Sequence, residues 1–158
     1  MSQEKDLKLA QAVHASICEM LDDRKWSYKK DEEKLTISSG ATGEDLPMGI
    51  NISVDAKRNL VVLISPMPFE VPEAQRDAMA VAVSLANNGL VDGSFDYDYL
   101  NGRIAFRMTT SYVKSLIGKN LFNYMLECSC YTIDEYNDKF LLVATGKMSL
   151  SEILEKIK

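Results

Sequence analysis

General acid–base catalysis draws on histidine or on a carboxylate of tuned pKa, and His14 is the one histidine in this chain. It follows Val13 at the margin of an apolar helical stripe, which predicts a partly buried or surface side chain. A catalytic zinc would have to rest mostly on carboxylates, an uncommon donor set. A serine triad would have to run through His14, and no Gly-x-Ser-x-Gly nucleophile turn occurs. The three cysteines, Cys18, Cys128 and Cys130, are an odd number and do not make a secreted disulfide framework. Cys128 and Cys130 stand two apart on a predicted helix, where side chains point to nearly opposite sides and cannot jointly grip a metal. All three read as small buried apolar groups in a reducing compartment.

Two further patterns invite a ligand and fail on chemistry. Ser38-Ser39-Gly40-Ala41-Thr42-Gly43-Glu44-Asp45 has the glycines of a phosphate loop, but that loop needs Gly-Lys-Ser/Thr opening a helix. Here Gly43 precedes two carboxylates that would repel a phosphate, so the stretch reads as a flexible loop. Asp92, Asp96 and Asp98 suggest a calcium loop, which wants glycine at its sixth position and glutamate at its twelfth. Counted from Asp92 those positions hold Tyr97 and Arg103, and from Asp96 they hold Asn101 and Arg107. Gly-x-Gly-x-x-Gly is absent, and a mostly antiparallel sheet offers no switch point for a dinucleotide. The expectation is a protein that is not an enzyme, with no catalytic residues, no cofactor and no metal.

The charge points the same way. With 18 basic and 23 acidic residues the net charge is −5, whereas nucleic-acid binders present basic stripes. The densest charged stretch, Lys29-Lys30-Asp31-Glu32-Glu33-Lys34, alternates in sign and reads as a solvated turn. Neither nucleic acid nor a membrane surface is an expected partner. No apolar run approaches the roughly 20 residues of a membrane span, and the polar stretch Ser2 to Lys8 is unlike a signal peptide. A cytoplasmic protein is expected, its 158 residues forming one domain over 1–158 with 149–158 a short extra C-terminal helix.

The elements that must carry these residues follow from periodicity. Leu7, Ala10, Val13, Ile17, Met20 and Leu21 predict a helix over Glu4 to Leu21, with Ser2 available as its cap. Strands are expected at Trp26 to Lys30, Leu35 to Ser38, Met48 to Val54 and Leu60 to Ile64. In the third, Ile50, Ile52 and Val54 face in. The fourth is apolar throughout, which places it centrally with both faces covered, by the chain's own helices or by another chain. Ser65 to Pro72 breaks regular structure. A helix from Glu73 to about Asn88 is expected to bury Ala78, Val81 and Leu85, with Ala74, Ala82 and Ala86 alongside, and to end at Asn88-Gly89. Asn101-Gly102 reads as a two-residue hairpin turn, which would pair Tyr99 with Ile104, Tyr97 with Phe106, Phe95 with Met108 and Asp96 with Arg107. From about Ile117 a helical stripe of Ile117, Leu121, Tyr124, Cys128 and Tyr131 follows, with a break near Tyr131 to Asp134. Ser149-Leu150-Ser151-Glu152 is a capping box with Met148 and Ile153 as staple, opening a helix that would bury Leu150, Ile153, Leu154 and Ile157.

The fold class is therefore α+β: an antiparallel sheet of about five to six strands with helices packed against it, in the order α-β-β-β-β-α-β-β-α-α. Val71-Pro72-Glu73-Ala74-Gln75-Arg76, Ala86-Asn87-Asn88-Gly89-Leu90, Gly93-Ser94-Phe95-Asp96-Tyr97-Asp98 and Asn101-Gly102-Arg103-Ile104-Ala105-Phe106-Arg107 resemble the YbjN family. These are small bacterial proteins described as sensory transduction regulators. The resemblance spans roughly Leu7 to Val143 and is sharpest from Val71 to Arg107. It implies the fold of type III secretion chaperones, which are acidic, cytoplasmic and usually dimeric, and it brings no catalytic residues. The function expected is a non-enzymatic protein-interaction module, a regulator or chaperone-like polypeptide binder, with a homodimer expected. The alternatives are a dedicated type III secretion chaperone for an effector and a small-molecule sensor domain. Met67 and Phe69, on the proline-rich loop, are the candidate partner-binding residues.

Overall fold

The apolar spacings produce the expected element order. A computed structural model describes residues 2–115 and 117–157. Helix α1 (Ser2–Asp23) precedes strands β1 (Tyr28–Asp31), β2 (Thr36–Thr42), β3 (Pro47–Asp55) and β4 (Leu60–Pro66). A 3₁₀ turn at Glu73–Gln75 leads into α2 (Arg76–Gly89), followed by β5 (Ser94–Asp98) and β6 (Arg103–Ser111). Helices α3 (Lys119–Ala144) and α4 (Leu150–Lys156) complete the chain. The strands form one six-stranded antiparallel sheet in the order β1-β2-β3-β4-β6-β5. The cap expected of Ser2 rests on a side chain outside those described.

Three hairpins turn by one device. Asp31 pairs with Thr36, Asp55 with Leu60 and Asp98 with Arg103, so each loop holds four residues. In each, the strand-closing aspartate accepts hydrogen bonds from amides further round the turn: Glu33 and Lys34, Lys57 and Arg58, and Asn101. The last loop residue then takes a positive φ, at Leu35 (54°), Asn59 (56°) and Gly102 (69°). Aspartate supplies the acceptor that a short polar side chain offers a turn.

This device corrects the register expected for the last hairpin. Phe95 pairs with Phe106 and Tyr97 with Ile104, two residues away from the two-residue-turn pairing, because Asp98 sets the turn and Tyr99 falls in the loop. A shift of two keeps every side chain on its face, so Phe95, Ile104, Phe106 and Met108 share one face, and all four are buried. Asp96 and Arg107 meet on the diagonal instead of directly opposite, and still form a two-pronged ion pair at 2.6 and 3.0 Å.

Other expectations shift for identifiable reasons. The stretch read as a loop from Ser38 is strand through Thr42, with Gly40 pairing Gly49 and Thr42 pairing Pro47. Trp26 precedes β1, and its indole N–H donates to Ser39 Oγ at 2.5 Å. In α2, Ala82 and Ala86 are buried as expected, while Met79 and Val83 are buried in place of Ala78, Val81 and Leu85. This stripe has the same helical spacing as the expected one, and packing against α3 and β5 chooses the stripe with the larger Met79 and Val83. The helix ends at Gly89, at the expected asparagine–glycine stop, with Leu90 as its extended C-cap. Helix α3 runs unbroken through Tyr131 to Glu135 and turns its tyrosine stripe outward, with Tyr131 75% exposed. Its buried side carries Phe122, Met125, Ile133, Tyr136, Phe140 and Val143, with Ser129, Thr132 and Asn137 between them. The capping box at Ser149 and Glu152 forms as expected, and Met148 and Ile153 are both buried. Helix α4 buries Ile153 and Ile157 but exposes Leu150 and Leu154.

The core lies between the helices and one face of the sheet. Phe95 stands edge-on to Phe106, Tyr136 and Phe140 at centroid distances of 5.3, 5.5 and 4.9 Å, the preferred aromatic geometry. Strand β4 is central as expected, with Val61, Leu63 and Ser65 buried beneath the helices. Its other face is not covered: Val62 is half-buried and Ile64 is 38% exposed. Among the described residues no helix is long and apolar enough to cross a membrane.

Candidate functional site

The groups able to do chemistry are engaged with one another. His14 is buried, and its Nε2 donates to the Thr36 carbonyl at 3.2 Å, tying α1 to β2. Burial pushes the neighbouring Cys18 thiol up, which keeps it from being a thiolate nucleophile. The Tyr28 hydroxyl donates to Asp22 at 3.0 Å, and burial followed by that bond raises its phenol well above the ordinary value. Lys30 and Glu32 pair at 2.6 Å. These groups line a cleft of about 390 Å³ between α1 and the first hairpin.

The aspartates of the calcium-like run are also accounted for. Asp96 holds Arg107, and Asp98 closes the last turn. Asp92 accepts from the Tyr124 hydroxyl, and that bond pushes the phenol up to about 12. Among the described residues, no group of three or more histidines, cysteines, aspartates or glutamates is placed to hold a metal ion.

The proline-rich loop does not present Met67 as an exposed anchor. Met67 is 8% exposed, and its amide donates to the Ile104 carbonyl at 2.9 Å, which extends the β4–β6 ladder. Phe69 is half-buried and packs on the core. Both line a shallow opening of about 560 Å³ with Pro66, Pro68, Arg103 and Ile104.

The outer face of the sheet is covered by none of the helices. Its alternating residues come from every strand, with a ridge of Leu60, Val62 and Ile64 on β4 beside Gly49, Asn51 and Ser53 on β3. Gly49 pairs with Gly40, and a Cβ placed on Gly49 would meet nothing within 4 Å. On β2, β3 and β4 this face carries one charge, Asp55 at a strand end, in a chain that is 26% charged. Opposite signs flank this patch: Lys29 and Asp31 on edge strand β1, and on the other side Asp96 on edge strand β5 with Arg107, which stands beside Ile64 on β6. Sequence reasoning missed this surface because it took Gly40 for a loop residue and assumed that the wholly apolar β4 was covered on both sides. That apolar run was the available signal.

A helix-backed six-stranded antiparallel sheet with one bare face defines a small α+β module. The chain belongs to the YbjN family, described as "Putative bacterial sensory transduction regulator", whose sequence model matches residues 14–142. Among solved structures it is similar to "YbjN, a putative transcription regulator from E. coli", with a TM-score of 0.57 and 14% sequence identity. That similarity covers 80% of this chain and 92% of the other, and it shows the fold. No curated protein matches the sequence.

Proposed function

We propose that this chain is a non-enzymatic regulatory module of the cytoplasm that works by binding a polypeptide. The observation that carries this reading is the outer sheet face, whose centre is nearly free of charge. Depletion of charge at the centre with charges at the rim is the compositional pattern of a protein interface. The family's description as a regulator supports it. The test is affinity capture of the tagged chain from its source cells, with Ile64→Arg in parallel. A polypeptide retained at near-stoichiometric yield by the wild type and lost from the variant is expected. Retention of the same companions by both would refute the reading.

A small-molecule sensor is the second reading, favoured by the cleft beneath His14, Tyr28, Lys30 and Glu32. It requires a metabolite that raises the melting temperature of the wild type and has no effect on Tyr28→Phe.

A further inference from the structure

We propose that the cleft between α1 and the first hairpin is a binding site for a small aliphatic diamine or polyamine in its ammonium form. This inference rests on the sensor reading above and names the class of its ligand.

Helical spacing and strand alternation assemble the site. Gln11, His14, Cys18 and Asp22 recur every three or four residues along α1 and so share one face. Tyr28 and Lys30 alternate onto the same side of β1, and Glu32 follows in the turn. The space they enclose, about 390 Å³, lies within the ordinary range for a small-molecule site.

His14 brings an unused nitrogen to the wall of this cleft. The side chain is 4% exposed, and its Nε2 is committed to the Thr36 carbonyl. With Nε2 as the donor, Nδ1 of the neutral ring is an acceptor. Nδ1 has no hydrogen-bond partner among the described residues, and unlike the buried polar atoms of Ser65 and Asn137 it is not sealed in the core. It opens to the cleft that His14 lines. An acceptor so nearly buried gains from an N–H donor carried in by a ligand.

The charges say which donor. Glu19, Asp22 and Glu32 line the cleft together with Lys30. Lys119 reaches Glu19 at 3.2 Å, but it is shared with Asp23 at 2.9 Å, outside the lining. Among these groups two carboxylates are in surplus over the ammonium groups, which disfavours an anion and suits a dication. Lys30 already places an ammonium 2.6 Å from Glu32, and with side chains 49% and 72% exposed that pair is weak enough to yield to a ligand. Ala15 and Leu35 add apolar surface for an alkyl chain. A diamine unites two cationic N–H donors with a run of methylenes.

Isothermal titration of the purified chain with 1,4-diaminobutane tests this, in about 0.15 M salt to screen loose surface pairing. Saturable one-to-one binding is expected, with a dissociation constant below about 1 mM. Asp22→Asn with Glu32→Gln should raise that constant at least about tenfold. Glu44→Gln with Asp45→Asn removes two exposed carboxylates elsewhere and should leave it unchanged. Because His14 is the one histidine of the chain, its Nδ1 resonance stands alone in nitrogen NMR, and it should move upfield as it accepts a hydrogen bond from the ligand. Unsaturable binding, binding indifferent to the Asp22 and Glu32 changes, or a His14 signal that stays in place at saturation overturns the proposal. If diaminobutane fails and another metabolite raises the melting temperature of the wild type but not of Tyr28→Phe, the ligand class falls and the sensor reading stands. If no small molecule does so, both fall.

Discussion

Asn87 performs the work of a missing strand. Strand β5 is at the edge of the sheet, where backbone groups lack a neighbour. The Asn87 side-chain oxygen accepts from the Phe95 amide at 2.7 Å, and its nitrogen donates to the Phe95 carbonyl at 2.9 Å. Phe95 is 2% exposed, so water cannot readily replace either bond. Asn87→Ala therefore leaves two backbone groups unpaired at a buried residue. At ~1–3 kcal/mol for each unsatisfied group, with some relief from relaxation, the expected loss is about 2–4 kcal/mol. For a chain of this size that corresponds to a fall of roughly 6–12 °C in melting temperature. Urea and thermal unfolding measure it, with exposed Asn88→Ala as a control expected to stay within ~0.5 kcal/mol. An Asn87→Ala cost below ~0.5 kcal/mol would show that the pair of hydrogen bonds does not hold β5, and would refute the reasoning.

Gly102→Ala should destabilise by at least ~2 kcal/mol, because it combines a positive φ with a Cβ placed 2.2 Å from the Val71 carbonyl oxygen. Gly49→Ala should be neutral or stabilising, and chemical denaturation of the two variants side by side checks the contrast. Ser149→Ala removes the cap of α4 and should cost about 1 kcal/mol, read as faster amide exchange over 150–156. The Asp55 carboxyl is held low mainly by the Arg58 amide, and the Asp98 carboxyl mainly by the Asn101 side chain. A carboxyl lowered on folding stabilises above its unfolded value, and that contribution is lost as pH falls through the folded value. The melting temperature should therefore hold between about pH 7 and 5 and decline below about pH 4. Asp55→Asn with Asp98→Asn should flatten that decline, and an unchanged decline in the double variant would contradict the assignment.

The sequence revealed periodicity well and left open the choice between equivalent faces. Element order, the capping box at Ser149 and the inward set of β3 were all legible, since each depends on neighbours within a few residues. The hairpin register was not, because Asn101-Gly102 is the stronger familiar signal while the turn is set by Asp98, four residues before Gly102. The same spacing recurs at Asp31 and Leu35 and at Asp55 and Asn59, but neither of those pairs ends in glycine. The buried side of α3, and Met79 and Val83 on that of α2, escaped because each helix offers two apolar stripes, and tertiary packing chooses between them. Of the candidate site, Met67 lost its exposure to the β4–β6 ladder. The sheet face became visible only once Gly40 and Gly49 were paired across adjacent strands.

Photo-cross-linking from the outer sheet face tests the central claim most directly. With a photoreactive phenylalanine analogue in place of Ile64, on the uncovered face of β4, a cross-link to a polypeptide of the source cells is predicted, with none from the same analogue at Leu154 on exposed α4. Products from position 154 with none from position 64 would contradict the account.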